Sequence, residues 1–369
     1  MPRLEVTFVK QYKHSLCVGK KMTIYAERRK KVLSLAKGKQ VVAMTGANVF
    51  YLTDFWGGGA AIVRPDKTVV ITTPLEENRA SELGQETDVV VVKGWKLVLA
   101  ALMKHLGKGT VVVDNDSAFK GSKRFTRSPD LFLKARRVKD QVEVARIERA
   151  SKGLDKILEA LTTELRPGRT EWEVAAEVMK VATTNELTPS GSDSALSPTI
   201  VASGPNGALP HSELTTRRIK KGDFVVADIF FRYQGYNSDE TRTFAVGSAS
   251  AEMRRNYATV LEAQESALDT IREGTICEDV HMAAVKVLRK AGVEKYLNHS
   301  VGHGVGIDIH EMPPISKGSK SKLLANDVVT DEPGIYFPGR YGIRIEDTVK
   351  TGRKTVVLTR FTKELLTVG

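Results

Sequence analysis

Two segments of the sequence each contain a pair of carboxylates on either side of a turn signal. In residues 225–247, two apolar runs flank a polar middle, a pattern typical of a β-hairpin. A turn centred between Tyr233 and Gln234 places Asp228 opposite Asp239, and side chains that face each other across a hairpin lie about 5 Å apart at Cβ. The first segment therefore predicts a close pair of aspartates.

The second segment, residues 331–349, repeats this arrangement with glutamates. Pro, Gly and Arg at positions 338–340 form a turn signal. Pairing about Gly339 places Glu332 opposite Glu346. We therefore expect each hairpin to bring two carboxylates together.

Close carboxylates repel each other and resist joint ionisation unless something offsets their charge. They either share protons, as an acid–base dyad does, or they bind cations. A single pair is most often only solvated, but two pairs within apolar strand patterns favour a built site. Their charge of about −4 matches two divalent ions, and carboxylates that bridge two metals about 3.5–4 Å apart form a common hydrolytic centre.

Histidines cluster in the sequence between the two hairpins. His299 and His303 lie in a stretch that alternates glycine with larger residues, which indicates a strand with close backbone approach. His310 follows seven positions after His303, so a bend or loop must intervene if both histidines face one site. His310-Glu311 starts like a zinc-binding HExxH helix, but the fifth position is Pro314, which excludes that motif.

Glycine-rich nucleotide-binding motifs are not supported. The glycines at 302–306 do not follow the G-x-G-x-x-G spacing of dinucleotide-binding loops. The glycine triplet at 57–59 is not followed by Lys-Ser/Thr, so it predicts a tight loop and not a phosphate loop.

The first third of the chain predicts alternating strands and helices. Short runs of β-branched residues are punctuated by Gly, Pro, Asp and Lys, as strands usually are. The predicted strands are Val41–Met44, Ala60–Val63, Val69–Thr72, Val89–Val92 and Val111–Val113. The helical patterns between them include Leu75–Leu83 and Trp95–Leu106. This order predicts an α/β domain built on a mixed sheet.

A long helical segment from about Val138 to Leu165 marks the expected boundary between two domains, 1–135 and 136–369. Two capping boxes follow it, in which a Thr precedes a Glu by three positions. They are Thr170-x-x-Glu173 and Thr275-x-x-Glu278. Their similar surroundings hint at an internal duplication.

The composition of the 369 residues is that of an ordinary globular protein, with 41% hydrophobic and 27% charged residues. The two cysteines, Cys17 and Cys277, form neither a disulfide framework nor a thiolate metal cluster, which predicts a reducing compartment. Residues 1–16 lack the apolar run of a signal peptide, and no stretch reaches the ~18 apolar residues of a membrane span. We therefore expect a cytoplasmic protein with no membrane partner.

Positive charge is concentrated in residues 1–135, which carry 23 Lys and Arg against 12 Asp and Glu, whereas the remainder carries 33 against 32. A basic domain can attract nucleic acid through its phosphates. The basic clusters at 28–31 and 120–127 lack the stacking aromatics and Gly-rich platforms of common RNA-binding modules. A solvated basic surface is the favoured interpretation, and nucleic acid is not an expected partner.

These motifs resemble those of the pita-bread metallopeptidases, which include Xaa-Pro dipeptidase (prolidase), aminopeptidase P and, more distantly, methionine aminopeptidase. The family's five metal ligands match this sequence in order and spacing. The matches are Asp228 and Asp239 in D-x10-D-x-T-R-T, His303 in G-H-G-V-G, Glu332 in E-P-G-I-Y and Glu346 in R-I-E-D.

The resemblance covers nearly the whole chain. Residues 51–55 are similar to the N-terminal motif of the prolidase and creatinase domain, and residues 138–143 are similar to the start of the linker helix. Methionine aminopeptidases generally lack that domain. The resemblance implies an α/β fold in which an N-terminal creatinase/prolidase-like mixed-sheet domain precedes a pita-bread domain with pseudo-twofold symmetry.

The resemblance also implies two divalent metal ions. One would be held by Asp228, Asp239 and Glu346, and the other by Asp239, His303, Glu332 and Glu346. An oxygen-rich set with one imidazole suits Mn²⁺, with Co²⁺ as a substitute. The ions would lower the pKa of a water that attacks the carbonyl before proline.

Further roles follow from family positions. Glu332 is implied as the proton shuttle and His310 as the stabiliser of the developing oxyanion. His211 would contact the substrate near the scissile bond. His299 and Arg344 fall on recurrent family positions and are expected to bind substrate.

Two departures from the family pattern affect specificity. Phe230 stands two positions after the first ligand, where the family usually has glycine. Pro314 stands where prolidases often carry an arginine that holds the dipeptide's carboxylate. Dipeptidase activity and aminopeptidase P activity on longer peptides are therefore close alternatives, with the prolidase-like one favoured by chain architecture.

A different class of function is a non-peptidase role. Creatinase-like enzymes use this fold without metals, and some histone-chaperone and RNA-associated proteins keep the fold but lose the ligands. All five ligands are present here, so a hydrolase acting on proline-containing peptides is favoured. Family members are commonly homodimers, and a homodimer is expected here.

Overall fold

In the computed structural model, which describes residues 7–9, 22–190 and 197–369, the chain forms two units, Met1–Arg136 and Arg137–Gly369. Cys17 lies outside the described residues, as does the N-terminal segment 1–16 apart from residues 7–9. Cys277 is buried and is not part of a disulfide. Within the described ranges, no helix combines the length and the apolar character needed to cross a membrane.

The first unit is built on a mixed sheet. Its strands are β1 (Thr7–Val9), β2 (Gln40–Ala43), β3 (Ala60–Val63), β4 (Thr68–Thr72), β5 (Thr87–Val91), β6 (Val111–Val113) and β7 (Phe125–Arg127). Its helices are α1 (Ile24–Leu35), α2 (Gly46–Thr53), α3 (Glu77–Leu83), α4 (Trp95–His105) and α5 (Pro129–Arg137). The strand order is β1-β5-β4-β3-β2-β6-β7.

The sheet confirms the predicted mixed α/β architecture. The five predicted strands coincide with β2 to β6 to within two residues. Neighbours β4–β5, β2–β6 and β6–β7 run parallel, while β1–β5, β2–β3 and β3–β4 run antiparallel. The apolar side chains Val42, Ile62 and Val90 lie in one core cluster of this unit.

The basic cluster at 28–31 is not a solvated surface throughout, and that interpretation was wrong for two of its residues. Arg28 and Arg29 are buried. Arg28 donates to the carbonyl oxygen of Tyr51 at 2.9 Å, and Arg29 pairs with Glu86 at 2.6 Å. Both guanidinium groups are therefore bound to partners inside the first unit and not to solvent.

The second unit begins with two helices packed on a sheet. These elements are α6 (Gln141–Glu164), α7 (Glu171–Thr184), β8 (Thr188–Pro189), β9 (Ile200–Ser203), β10 (Phe224–Tyr233) and β11 (Tyr236–Val246). Both helices start at a capping box, formed by Asp140 with Glu143 and by Thr170 with Glu173. Leu158 of α6 and Val178 of α7 are buried in the core cluster that includes residues of β10 and β11.

The second half of this unit repeats a helix pair on a sheet. Its elements are α8 (Ala251–Thr270), α9 (Cys277–Lys290), β12 (Gly302–Gly304), β13 (Glu311–Ile315), β14 (Val328–Asp331), β15 (Gly334–Phe337), β16 (Tyr341–Arg344), β17 (Asp347–Lys350), β18 (Val356–Val357) and β19 (Thr367–Val368). The strand order of its main sheet is β13-β12-β14-β17-β18. Strand β19 instead pairs with β11, in the sheet that also contains β10 and β8. This repetition agrees with the expected pseudo-twofold symmetry.

The second predicted capping box is wrong. Helix α9 has Ile276 at its N-cap position, with no side-chain cap. The Thr275 hydroxyl donates to the carbonyl oxygen of Thr270, and the Glu278 carboxylate accepts from Lys320 and from the Gly318 backbone. The two side chains bind to these groups instead of capping the helix. A local sequence pattern cannot show such partners.

Candidate metal centre

Strands β10 and β11 place Asp228 and Asp239 on one face of a hairpin. The turn residues are Gln234 and Gly235, whose φ angles of 45° and 84° are both positive. Asp228 therefore pairs with Thr241, and the direct pairing with Asp239 expected from a turn one residue earlier was wrong. Because the partner moved by two residues, both carboxylates keep the same face and become diagonal neighbours.

Glu332 and Glu346 lie at the junction of two paired segments. Asp331 pairs with Asp347 where β14 and β17 end, and the β15–β16 hairpin continues the same register. This register is centred on Gly339 and places Glu332 across from Glu346, as predicted. The backbone N–H of Glu346 donates to a carbonyl of β11 at 3.0 Å, which joins the second pair of carboxylates to the first.

His303 lies in β12 between two glycines that the packing requires. A Cβ atom on Gly302 would lie 2.2 Å from the carbonyl oxygen of Thr330, and one on Gly304 would lie 2.1 Å from that of Met312. The chain then bends before β13, and the rings of His303 and His310 have centroids 4.2 Å apart. The bend predicted from their odd spacing is therefore confirmed.

All the residues predicted for the site line one cavity of about 210 Å³ in the second unit. These residues are Asp228, Asp239, His303, Glu332, Glu346, His211, His310, His299 and Arg344. Both departures from the family pattern, Phe230 and Pro314, also lie in its wall. Phe230 packs in one apolar cluster with Ile200 and Ile309, so this side of the cavity is apolar.

Three buried carboxylate oxygens in the cavity have no hydrogen-bond partner among the described residues. They are Oδ1 of Asp228, Oδ1 of Asp239 and Oε1 of Glu346. Ligand atoms of Asp239, His303 and Glu346 all lie within 4.8 Å of one another. Burying unpaired carboxylate oxygens is costly, and divalent cations satisfy such oxygens, so this donor set fits metal ions.

The protein alone disfavours the charged forms of Asp239, Glu346 and Glu332. Burial, and then the charges of Glu346 and Asp228, raises the pKa of Asp239 well above its usual range. Burial, and then the charge of Glu332, does the same to the pKa of Glu346. Burial also raises the pKa of Glu332 to about 7. A cation bound among them would reverse these shifts.

His303 and His299 are neutral near pH 7. Burial lowers the pKa of His303 to about 3 and that of His299 to about 4, with smaller contributions from the nearby His310 and Arg344. Nδ1 of His303 lies 3.0 Å from the carbonyl oxygen of Gly304, which requires the proton on that nitrogen. Its Nε2 lone pair therefore faces the carboxylates and can bind a metal.

Arg344 is a buried centre of hydrogen bonds. Its Nη2 donates to Oδ2 of Asp228 at 2.6 Å, its Nη1 to the Tyr336 hydroxyl at 2.6 Å and its Nε to Oγ1 of Thr241 at 3.2 Å. Thr241 in turn donates to Oε2 of Glu346 at 2.6 Å. Arg344 therefore orients the carboxylates, while its expected contact with substrate stays a prediction.

Sequence reasoning did not single out Tyr336 or Thr241, although both lie in the quoted motifs E-P-G-I-Y and D-x-T-R-T. The Tyr336 hydroxyl lies 2.9 Å from Nε2 of His299, whose Nδ1 lies 2.7 Å from the carbonyl oxygen of Ser300. That contact places the ring proton on Nδ1, so Tyr336 donates to Nε2. A chain of donors thus runs from Arg344 through Tyr336 to His299.

His211 is exposed and lies on a segment that Glu171 anchors. The fully buried carboxylate of Glu171 accepts from the backbone and hydroxyl of Ser203, from the amide of Asn206, and from the backbone and hydroxyl of Thr215. These bonds measure 2.6–3.0 Å. Glu171 therefore fixes both ends of the segment that carries His211.

A buried ion pair holds the residue that follows His310. Nζ of Lys139 lies 3.1 Å from the carboxylate of Glu311, and each side chain is only 1% exposed. Glu311 also accepts the backbone N–H of Asp308 at 3.1 Å. The residue next to His310 is therefore tied to the start of the second unit, and the sequence offered no signal for this pairing.

Two family descriptions match this chain. Metallopeptidase family M24 matches residues 145–351, and the Creatinase/Prolidase N-terminal domain matches residues 28–161. The first match includes every predicted site residue, and the second starts in α1 and extends into α6.

Similar proteins cover both units. Xaa-Pro dipeptidase of Pyrococcus furiosus is 37% identical over 332 residues, which is 86% of this chain and 92% of that protein. The crystal structure of the prolidase from Pyrococcus horikoshii OT3 aligns with a TM-score of 0.84 and 31% identity, covering 92% of this chain and 100% of that one. The X-Pro aminopeptidase from Thermotoga maritima MSB8 aligns with a TM-score of 0.82 and 28% identity, again over 92% and 100% of the two chains.

Proposed function

Because the chain belongs to metallopeptidase family M24, we propose that it is a two-metal exopeptidase that hydrolyses Xaa–Pro bonds at the amino end of peptides. The names Xaa-Pro dipeptidase and prolidase among similar proteins support this substrate class. The observation that carries the proposal is the set of partnerless buried oxygens beside the neutral imidazole of His303.

The ligand assignment follows the two pairs of carboxylates. Asp228, Asp239 and Glu346 would hold one ion, and Asp239, His303, Glu332 and Glu346 would hold the other. Oxygen-rich ligands with one imidazole favour Mn²⁺, and Co²⁺ is expected to substitute. Such ions supply a nucleophile near neutral pH because they lower the pKa of water.

Glu332 is assigned the proton transfer of the reaction. Its carboxylate lines the cavity among the other candidate ligands, where it can accept a proton from the attacking water and return it to the leaving amine. Thr330 donates to Oε1 of Glu332 at 3.3 Å, and Nε2 of His303 lies 3.3 Å from the same oxygen. The hydroxyl of Thr330 therefore positions this carboxylate, while the unprotonated Nε2 of His303 donates no hydrogen bond to it.

His310 and His211 are assigned to the developing charge and to substrate contact. Burial, and then the charge of His211, lowers the pKa of His310, so its imidazole is neutral at pH 7 and can donate one N–H to an oxyanion. His211 contacts the substrate near the scissile bond. The anchor at Glu171 and the pair at Glu311 hold the two histidines in place.

His299 is assigned to substrate binding, with its ring fixed by Tyr336 and Ser300. We also propose that the protein acts as a homodimer in the cytoplasm, as the family resemblance implies. Light scattering after size-exclusion chromatography measures the mass directly, and a mass near the 40.5 kDa of one chain would contradict the dimer.

The test is metal-dependent cleavage of Met-Pro. The protein is stripped with a chelator and reloaded with Mn²⁺ or Co²⁺, and release of proline is followed, with Met-Ala as the matched peptide without proline. Cleavage of Met-Pro that requires metal and exceeds that of Met-Ala supports the proposal. Metal binding without cleavage of any Xaa-Pro peptide would reject it and favour a non-peptidase role.

A further inference from the structure

The cavity wall beside the candidate metal ligands is apolar on one side. Four buried residues form a cluster there that is distinct from the two larger core clusters of the second unit. They are Ile200, Ala202, Phe230 and Ile309. Three of them, Ile200, Phe230 and Ile309, line the cavity itself, next to its carboxylates and imidazoles. Apolar lining of this kind offers contact to an apolar part of a ligand.

Strand pairing places this apolar surface directly beside the two aspartates. In the register of β9 and β10, Ile200 lies opposite Asp228. In the register of β10 and β11, Phe230 lies opposite Asp239. Residues that face each other in this way have Cβ atoms about 5 Å apart. Each aspartate therefore has one apolar side chain as an immediate neighbour on the cavity face.

Phe230 is the largest side chain of the cluster, and it is 7% exposed. It lines a cavity of only about 210 Å³, so its ring takes up space that a smaller residue would leave open. The ring packs in one cluster with Ile200 and Ile309. Because protein interiors are close-packed, such a ring cannot move aside for a ligand without disturbing its neighbours.

Covalent geometry determines which part of a peptide meets this wall. The side chain of the first residue branches from the carbon that carries both the amino group and the scissile carbonyl. When that carbonyl lies at the candidate metal ligands, the side chain begins beside Asp228 and Asp239, where Ile200 and Phe230 lie. Proline begins on the other side of the scissile bond. The first side chain is therefore the part of the substrate that starts nearest to the apolar cluster.

We propose that Phe230 limits the size of the side chain before proline, so that small or slender apolar residues such as alanine and methionine are favoured there over phenylalanine. The proposal rests on the proposed function and specifies its substrate. Phe230 takes no part in the hydrolysis itself and determines which peptides fit beside the metal ligands.

The experiment measures kcat and KM for Ala-Pro, Met-Pro and Phe-Pro with the Mn²⁺-loaded full chain and three variants. Phe230→Ala opens the wall, Phe230→Leu opens it less and keeps the cluster apolar, and Phe231→Leu is the matched control. Phe231 is the next residue of β10, is fully buried, and belongs to the core cluster on the other face of the strand. Titration calorimetry with L-alanine and L-phenylalanine, the first residues that cleavage would release, probes the same space without turnover.

We expect the wild type to cleave Ala-Pro and Met-Pro with a higher kcat/KM than Phe-Pro. Phe230→Ala should raise the Phe-Pro to Ala-Pro ratio of kcat/KM at least about tenfold, the usual effect of relieving a size mismatch in an apolar pocket. The affinity for L-phenylalanine relative to L-alanine should rise by a similar factor. Phe230→Leu should shift both ratios in the same direction by less. An unchanged ratio in Phe230→Ala, an equal shift in Phe231→Leu, or a wild type that prefers Phe-Pro would each overturn the size limit.

Failure of the proposed function gives a different result. If the metal-loaded wild type cleaves none of the three dipeptides, that function is rejected, and the calorimetric ratio still tests Phe230. Amino-acid affinities that are the same, or undetectable, in the wild type and in Phe230→Ala would overturn the size limit by themselves.

Discussion

The two faces of strand β11 differ in how far their buried carboxylates are paired with cations of the chain. On the cavity face, Asp239 joins Asp228, Glu332 and Glu346, and the one guanidinium there, that of Arg344, pairs with Asp228. Oxygens on three of these four carboxylates remain without partners in the described structure. The described residues that line this face therefore supply too few cations to neutralise its carboxylates.

On the back face, the chain provides the cations itself. Arg242 lies 3.0 Å from Glu240 and 2.9 Å from Asp347, and Nζ of Lys363 lies 3.5 Å from Asp347. Burial nevertheless raises the pKa of Glu240 and of Asp331 well above their usual range. Neighbouring residues of one strand thus face an unneutralised group of carboxylates on one side and internal ion pairs on the other.

The largest effect is expected from a substitution on the cavity face. Asp239→Asn should lower kcat/KM by about a thousandfold and abolish binding of one metal equivalent, because several kcal/mol of transition-state stabilisation depend on the metals. Glu240→Gln, one residue away on the back face, should change neither, since Glu240 does not line the cavity. Kinetics with Met-Pro measure kcat/KM, and metal analysis measures the metal content. Similar losses in the two variants would contradict the different roles of the two faces of β11.

On the back face, the expected loss is in stability. Arg242→Met leaves Glu240 and Asp347 without their main cation, and breaking a buried pair costs about 3–5 kcal/mol. Urea denaturation of the metal-free protein measures the free energy of unfolding. The control is Arg289→Met, at an exposed pair with Glu294, which should leave the midpoint unchanged. Equal midpoints for both variants would show that Arg242 is dispensable.

Metal affinity should depend on pH through the cavity face. Below its pKa of about 7, Glu332 carries a proton that must leave before the carboxylate can bind a metal. Apparent affinity should therefore rise as pH increases through 7, by up to about tenfold per pH unit for one proton released. Calorimetry in two buffers of different ionisation enthalpy counts the protons. Glu332→Gln should release fewer, and an unchanged count would assign the proton to another group.

The smallest expected effect comes from the donor chain behind the cavity. Tyr336→Phe removes the hydroxyl that connects Arg344 with His299, a loss of about 1 kcal/mol or about fivefold in kcat. Metal content should stay at the wild-type value because no metal ligand is changed. Loss of metal in this variant would mean that Tyr336 supports the ligands and not the substrate side.

The hairpin around Gln234 illustrates what could be predicted from sequence. The alternation of apolar and polar residues in β10 and β11 determined which residues share a face. That part of the prediction is correct although the predicted turn position was wrong. The turn moved by one residue because Gly235 readily takes the positive φ of a two-residue turn. The partner of Asp228 consequently moved by two residues, which preserves the face.

Other features depend on neighbours that are distant in sequence. Arg28 and Arg29 are buried because Tyr51 and Glu86 supply partners for them, and no local pattern shows this. The role of Glu171 as an anchor depends likewise on residues 203–215, which fold back to it. Charge runs and capping boxes are short-range signals, so they are overridden wherever tertiary partners are available.

The pair of Lys139 and Glu311 sets a limit on how far the second unit can be trimmed. The M24 match begins at residue 145, but a shortened protein starting there would lack both Lys139 and Arg137, which pairs with the buried Asp327 at 2.7 Å. Two acids would then be enclosed without their cations, one of them beside His310. Any version of this unit expressed alone has to begin before Arg137.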